Sequence, residues 1–110
     1  MKEPIPVAIR PILEEVKRRL QKIYGSKLKE VILFGSYARG DAEPGSDIDL
    51  IIVLDKIEDA LAERERYFPA ILELDHKYDT LISIIPISEA EFAGRRMPLI
   101  LNAKREGIAL

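Results

Sequence analysis

The sequence contains no cysteine, a single histidine and no long apolar stretch. The absence of cysteine excludes disulfides, thiolate zinc sites, iron–sulfur clusters and a cysteine nucleophile. His76 alone cannot build a histidine-rich metal site, and it argues against a Ser-His-Asp triad. No apolar run approaches the ~20 residues that span a bilayer, and the N-terminus lacks the basic and apolar segments of a signal peptide. We therefore expect a cytoplasmic protein with no membrane association.

The composition is that of a small folded protein. The chain has 110 residues, of which 47% are hydrophobic and 33% are charged, with a formal net charge of −2. This length fits one domain over residues 1–110, and the apolar content is sufficient to form a core. Because the charge balance is mildly acidic, we do not expect direct nucleic-acid binding.

Two amphipathic helices are predicted from apolar residues at helical spacing. The first follows Pro11 and ends at Gly25, and its apolar stripe comprises Ile12, Leu13, Val16, Leu20 and Ile23. The second occupies the charged region 56–77, where Pro69 should kink the helix or begin a new one. Its expected core contacts are Leu61, Phe68, Ile71 and Leu72.

Three strands and three further helices complete the predicted elements, and one of these helices is a short helical start after Gly35. The strands are expected at 31–34, 47–54 and 80–86, and a capping box at 88–91 should begin a short helix. A last helix should start at Pro98. The order α-β-α-β-α-β-α-α predicts the α/β (α+β) class, with a small mixed sheet backed by helices.

The dipeptide Gly35-Ser36 stands directly after the first predicted strand. Glycine lets a ligand approach the backbone, and amides at a helix start favour an anion. The Ser36 hydroxyl and the Arg39 guanidinium could contact the same phosphate. By itself, however, a Gly-Ser turn after a strand is ordinary, so this half of the motif is a weak indication.

Two aspartates open the second predicted strand. Because residues i and i+2 of a strand point to one face, the carboxylates of Asp47 and Asp49 should project together. Such a pair repels unless a cation lies between the two groups, and hard oxygen ligands favour Mg²⁺ or Mn²⁺. The alternative is that either residue only caps the turn after Pro44-Gly45.

A third acid would be needed if the site binds two metal ions. Asp79 is the best candidate because it starts the third predicted strand with the parity of Leu81 and Ser83. In a different register Ser83 would take that position and the third carboxylate would be missing. Asp75 is a weaker substitute, since it should lie on the helix.

The spacing of Gly35-Ser36, ten intervening residues and Asp47-Ile48-Asp49 resembles the signature of the DNA polymerase beta-like nucleotidyltransferase superfamily. The size and the string Gly-Ser-Tyr-Ala-Arg-Gly resemble its minimal nucleotidyltransferases, or MNT proteins, most closely. The resemblance implies the polymerase beta-like fold, a nucleoside triphosphate held by Gly35 and Ser36, and two Mg²⁺ ions on Asp47 and Asp49. By strand order it assigns the family's third acid to Asp79.

The same resemblance implies a reaction and a partner. A hydroxyl would attack the α-phosphate of ATP, and pyrophosphate would leave. MNT proteins are commonly paired with a HEPN-domain toxin, whose tyrosine receives AMP so that its RNase is silenced. We therefore expect an antitoxin that acts in a hetero-oligomer with a HEPN toxin.

Other functions are weighed against this hypothesis. A Walker-type NTPase is rejected because Ser46 stands where lysine is required, and a hydrolase elbow is rejected because Ser36 lacks the Gly-x-Ser-x-Gly context. A non-catalytic module that neutralises its partner by complex formation remains open. A more remote alternative is a subunit that modifies RNA or an antibiotic.

Overall fold

The computed structural model describes residues 5–94 and 97–110, which form a mixed sheet with helices on both faces. The sheet has four strands in the order β3-β2-β1-β4, and these are β1 Leu28–Phe34, β2 Ile48–Leu54, β3 Ile82–Ser88 and β4 Ile108–Ala109. Strand β1 is antiparallel to β2 and to β4, whereas β2 and β3 are parallel. The predicted small mixed sheet backed by helices is confirmed.

Five α-helices occur within the described residues. They are α1 Arg10–Tyr24, α2 Ser36–Arg39, α3 Ala60–Tyr78, α4 Glu89–Gly94 and α5 Pro98–Glu106. Short 3-10 turns at Val7–Ile9 and Gly25–Lys27 flank α1. None of the described helices has the length and apolarity needed to cross a membrane.

Strand β2 is buried on both faces, which explains its nearly continuous apolar sequence. Its residues alternate between two core clusters. Ile48, Leu50, Ile52 and Leu54 pack with α1 and α3, whereas Ile51 and Val53 pack with α5. Asp49 has the parity of Ile51 and Val53, so its side chain lies on the sheet face that α4 and α5 cover further along.

Helix α1 follows the predicted stripe except at its last turn. Ile12, Leu13, Val16 and Leu20 are buried as expected, and the helix ends before Gly25, which has a φ of 57°. Ile23 remains 37% exposed, while Tyr24 is buried in its place. The Tyr24 hydroxyl donates to the Glu63 carbonyl oxygen, so the aromatic ring and its polar end are both accommodated against α3.

Helix α3 corrects two predictions. It begins at Ala60 and not at residue 56, and Asp59 caps the amides of Leu61 and Ala62. Pro69 does not begin a new helix, because α3 continues through that residue. The carbonyl group four residues before Pro69 belongs to the exposed Glu65, so water can replace the missing hydrogen bond.

The buried face of α3 also differs from the predicted one. Of the four expected core residues only Ile71 is buried, while Leu61, Phe68 and Leu72 are exposed. The buried positions are Glu63, Tyr67, Ile71 and Leu74. Packing against α1 and the sheet selected a face that includes a glutamate and a tyrosine, which hydropathy alone assigns to solvent.

Strand β3 lies at an edge of the sheet and is displaced along the chain from its predicted range. It starts at Ile82 because the Asp75 carboxylate accepts the Ile82 amide at 2.9 Å, and it extends past Pro86 to Ser88. In the parallel ladder the even-numbered residues of β3 direct their amides away from β2. Pro86 is tolerated there because an edge position needs no inward N–H donor.

The capping box at 88–91 and the helix start at Pro98 are confirmed, but the final strand was not predicted. The Ser88 hydroxyl accepts the Glu91 amide at 3.1 Å, and α5 ends before Gly107. The two residues that follow pair with Ile32 and Leu33 as β4. A two-residue strand carries no detectable period, so only its pairing with β1 reveals it.

We predict that Glu15→Gln weakens the packing of α1 on α3 in a pH-dependent way. Glu15 accepts from Lys77 and from the Tyr78 hydroxyl, each at 2.8 Å, and these bonds lower the pKa of its carboxyl group. Because a lowered pKa stabilises the fold only while the group is ionised, the loss should be complete at neutral pH, above the unfolded value of ~4.3. It should diminish as the pH falls through the lowered pKa of the folded state. Urea unfolding at pH 7 and pH 3.5 measures this difference.

The matched control for this prediction is Glu14→Gln. Glu14 is an exposed carboxylate of the same helix, one position earlier. We expect a midpoint close to wild type for this variant at both pH values. Equal effects of the two substitutions would contradict the assigned role of Glu15.

Candidate active site

The end of β1 and the beginning of β2 bring Gly35 against Asp49. The antiparallel register pairs Phe34 with Asp49, so the next residue, Gly35, lies beside that carboxylate. Gly35 has a φ of 75°, and a Cβ atom added to it would overlap Oδ2 of Asp49. Both the backbone conformation and the close approach therefore require glycine at this position.

Helix α2 starts immediately after this contact. The Gly35 carbonyl oxygen accepts the amides of Ala38 and Arg39, each at 3.1 Å. As first-turn residues, Ser36 and Tyr37 have amides without an intrahelical acceptor, and no other described group accepts them. These amides and the half-buried Ser36 hydroxyl follow directly after Gly35, the residue that lies against Asp49.

The other side chains of α2 have separate roles. Arg39 is exposed, and its Nε atom lies 3.3 Å from Oδ2 of Asp41. The structure places the Arg39 charge close enough to Asp49 to act on that carboxyl group. Tyr37 packs at the border of the α1–α3 core, which favours the interpretation that it anchors the turn.

Asp47 and Asp49 lie together, as the strand spacing predicted, although Asp47 directly precedes β2 instead of opening it. Asp47 is exposed and Asp49 is half-buried. Partial burial raises the pKa of Asp49, the negative charge of Asp47 raises it further, and Arg39 opposes both effects. A bound cation would oppose both effects that raise the pKa of Asp49.

A turn over 43–46 positions this pair. The Ser46 amide donates to the Glu43 carbonyl oxygen at 3.0 Å, and the Ser46 hydroxyl accepts the Glu43 amide at 2.9 Å. Gly45 within the turn has a φ of 89°. The predicted Pro44-Gly45 turn is therefore closed by hydrogen bonds, and it places Asp47 directly before the start of β2.

The structure does not bring Asp79 into this group. Asp79 is the exposed C-terminal cap of α3, with a φ of 49°, and it lies three residues before β3 begins. Across residues 5–94 and 97–110, no group of three or more histidine, aspartate or glutamate side chains could hold a metal ion. A third carboxylate from Asp79 is therefore not confirmed, because the chain is still turning out of the helix at that point.

The register instead places Ser83 beside Asp49. The weaker substitute, Asp75, is occupied as the acceptor of the Ile82 amide. Ser83 was the alternative that the sequence left open for a different register. Only the pairing of β2 with β3 decides which of these residues lies beside Asp49. The one signal for Ser83 in the sequence is that it is a polar residue among the apolar residues that begin β3.

The comparison with known families agrees with this geometry. Residues 11–107 match the model of the family described as "Nucleotidyltransferase domain". The chain belongs to this nucleotidyltransferase family. The resemblance stated from the Gly-Ser and Asp-x-Asp motif is thereby confirmed, and the protein is a transferase.

Similar proteins are known in sequence and in structure. The "Putative protein adenylyltransferase MJ0141" of Methanocaldococcus jannaschii is 40% identical over 74 residues, which are 67% of this chain and 74% of that protein. A solved structure described as a toxin–antitoxin with AMP-PNP superimposes with a TM-score of 0.58 and 22% identity, covering 87% of this chain and 70% of its own.

A further solved structure is a tri-AMPylated HEPN toxin of Shewanella oneidensis in complex with its MNT antitoxin. It gives a TM-score of 0.51 and 18% identity, covering 94% of this chain and 68% of that one. At these identities the two solved structures establish the shared fold.

We predict that Gly35→Ala destabilises the protein by more than Gly45→Ala. Both glycines have positive φ, which costs a non-glycine residue about 1–2 kcal/mol. An added Cβ meets no atom within 4 Å at Gly45, whereas at Gly35 it meets the Asp49 carboxylate. Chemical denaturation of both variants, and of Gly35→Ala in an Asp49→Ala background, measures the difference. An equal cost in the two backgrounds would contradict the proposed contact.

We predict that Asp49→Asn stabilises the metal-free protein at neutral pH. Since the pKa of Asp49 is raised in the fold, its ionised form is disfavoured there, and asparagine removes that cost. The gain should be absent below ~4, where an unfolded aspartate is protonated, and should appear as the pH rises through the raised pKa. Thermal unfolding in a chelator between pH 4 and pH 8 tests the sign, and a constant difference would contradict it.

Proposed function

We propose that this protein transfers AMP from ATP to a hydroxyl group of a partner protein, in a reaction that depends on Mg²⁺. The observation that carries the proposal is the contact of Asp49 with Gly35, because it unites the two halves of the family motif. Membership of the nucleotidyltransferase family supports the reaction class. The name of the Methanocaldococcus relative supports adenylyl transfer and a protein acceptor.

The residues present fit a hard divalent cation. Asp47 and Asp49 offer carboxylate oxygens at the start of β2, and burial together with the charge of Asp47 raises the pKa of Asp49. These two residues would hold the magnesium, which we expect as two ions shared with the phosphate oxygens of ATP. Bound magnesium would lower the pKa of the attacking hydroxyl and offset charge on the transferring phosphate.

The nucleotide would bind through the start of α2. The unaccepted amides of Ser36 and Tyr37 and the Ser36 hydroxyl are donors suited to phosphate oxygens. Gly35 permits the close approach of backbone and ligand, since it has no side chain of its own. Arg39 would add positive charge from the end of the same helix, in competition with its ion pair to Asp41.

The reaction would be an in-line displacement. A bond forms between the acceptor oxygen and the α-phosphorus, while the bond to the bridging oxygen of the β-phosphate breaks. Pyrophosphate leaves with the bonding electrons, and the proton of the acceptor hydroxyl passes to solvent. The protein contributes orientation and electrostatic stabilisation, which are the main sources of catalysis in phosphoryl-type transfer.

The partner we propose is a HEPN-domain toxin, modified on a tyrosine and thereby silenced, with this protein as the antitoxin in a cytoplasmic complex. This is supported by the fold shared with the antitoxin in the HEPN–MNT complex. The structure with AMP-PNP supports an adenine nucleotide as the donor. An acceptor hydroxyl supplied by another chain also agrees with the exposure of Asp47 directly before β2.

The decisive experiment is label transfer from α-³²P ATP to a purified HEPN-domain toxin, the partner that we propose. We expect transfer with Mg²⁺ and its loss with chelator. Asp47→Asn should reduce transfer by at least about a hundredfold, because it removes an exposed metal ligand with little effect on the core. Mass spectrometry of the product would locate AMP on a tyrosine.

The control is Glu43→Gln, which alters an exposed acid of the same loop that lies outside the proposed metal ligands and does not pair with Arg39. Its transfer rate should stay within about threefold of wild type. Equal transfer by wild type and Asp47→Asn would contradict the metal role. Tight complex formation without any transfer would instead favour the non-catalytic module.

A further inference from the structure

The position beside Asp49 on the neighbouring strand is occupied by a serine. In the parallel pairing of β2 with β3, Asp49 is matched with Ser83, and Leu50 with Ile84. Matched residues of adjacent strands lie ~4.8 Å apart and project to the same face. The side chain nearest to Asp49 across this ladder is therefore the Ser83 hydroxymethyl group.

Ser83 is half-buried and uncommitted. Within the described residues its hydroxyl forms no hydrogen bond. Its strand neighbours Ile82 and Ile84 have the opposite parity and face the α1–α3 core. A hydroxyl with no internal partner, next to a carboxylate and open to the site, is available to a bound ion or its water.

The acidic alternatives are positioned elsewhere. Asp79 caps α3 in the left-handed region, before the strand begins. Asp75 accepts the Ile82 amide at 2.9 Å, and this bond helps to start the strand. For Asp79 to reach the position beside Asp49, β3 would have to slip by four residues, which would remove Ile82 and Ile87 from their buried positions.

We propose that Ser83, and not Asp79, is the third side chain of the metal site, so that two carboxylates and a neutral hydroxyl surround the ion. This inference rests on the proposed function. A site with two negative charges binds a divalent cation more weakly than one with three. The protein should therefore bind the metal weakly by itself and strongly only together with the triphosphate, which supplies the missing negative charge.

The test is titration of the purified protein with Mn²⁺, with free Mn²⁺ followed by electron paramagnetic resonance, in the absence and presence of ATP. Ser83→Asp should tighten nucleotide-free Mn²⁺ binding about tenfold or more, because it adds a third carboxylate. Ser83→Asn has nearly the same shape without the charge and should not tighten it. Asp79→Asn should bind Mn²⁺ within about twofold of wild type, since asparagine also tolerates a positive φ.

The outcomes separate this inference from the proposed function. A loss of Mn²⁺ affinity in Asp79→Asn as large as that in Asp49→Asn would overturn the role of Ser83 while leaving the metal site intact. Equal affinities of wild type and Ser83→Asp would also overturn it. If Mn²⁺ binding with ATP were unchanged by Asp47→Asn, the proposed function itself would fail. Circular dichroism of each variant checks that the fold is retained. The Asp79→Asn variant still tests the inference if the Ser83 variants do not fold, because it leaves Ser83 unchanged.

Discussion

The site depends on the close approach of one carboxylate to one residue without a side chain. Asp49 lies against Gly35 where β1 ends and β2 begins, and a Cβ atom would occupy the space of its Oδ2 atom. This contact brings together the start of α2, whose amides suit a phosphate group, and the two aspartates, which suit a metal ion. Both lie where β1 ends and β2 begins. The antiparallel β1–β2 ladder enforces it, because a slip of one residue would turn Asp49 and the whole apolar set of β2 to the opposite faces.

The rest of the fold offsets the free-energy cost of holding Asp47 and Asp49 close together. Apart from Asp49, β2 is buried on both faces, by α1 and α3 on one side and mainly by α5 on the other. The apolar residues that follow Asp49 make the strand rigid, so two like charges can be held together at its start. A raised pKa at Asp49 reflects this arrangement: burial and Asp47 disfavour the ionised form, and a cation would reverse both effects.

The elements predicted well are those whose signals are local. The stripe of α1, the capping box at Ser88 and the polar opening of β2 all depend on residues within a few positions of each other. The predictions that were wrong depend on contacts made at long range. Helix α3 buries Tyr67 and not Phe68, because Tyr67 shares the face of Ile71 and Leu74 that packs on the core. Strand β4 is defined by its pairing with β1.

The amino-acid order alone determined the family and the chemistry of the two motif halves, because Gly35, Ser36, Asp47 and Asp49 lie within fifteen consecutive residues. Tertiary structure alone decided which side chain stands next to Asp49 on the neighbouring strand. That choice follows from the register of β3, which is set by the burial of Ile82 and Ile87 and by the bond from the Ile82 amide to Asp75. Asp79 and Ser83 have the same parity, so a period of two residues could not distinguish them.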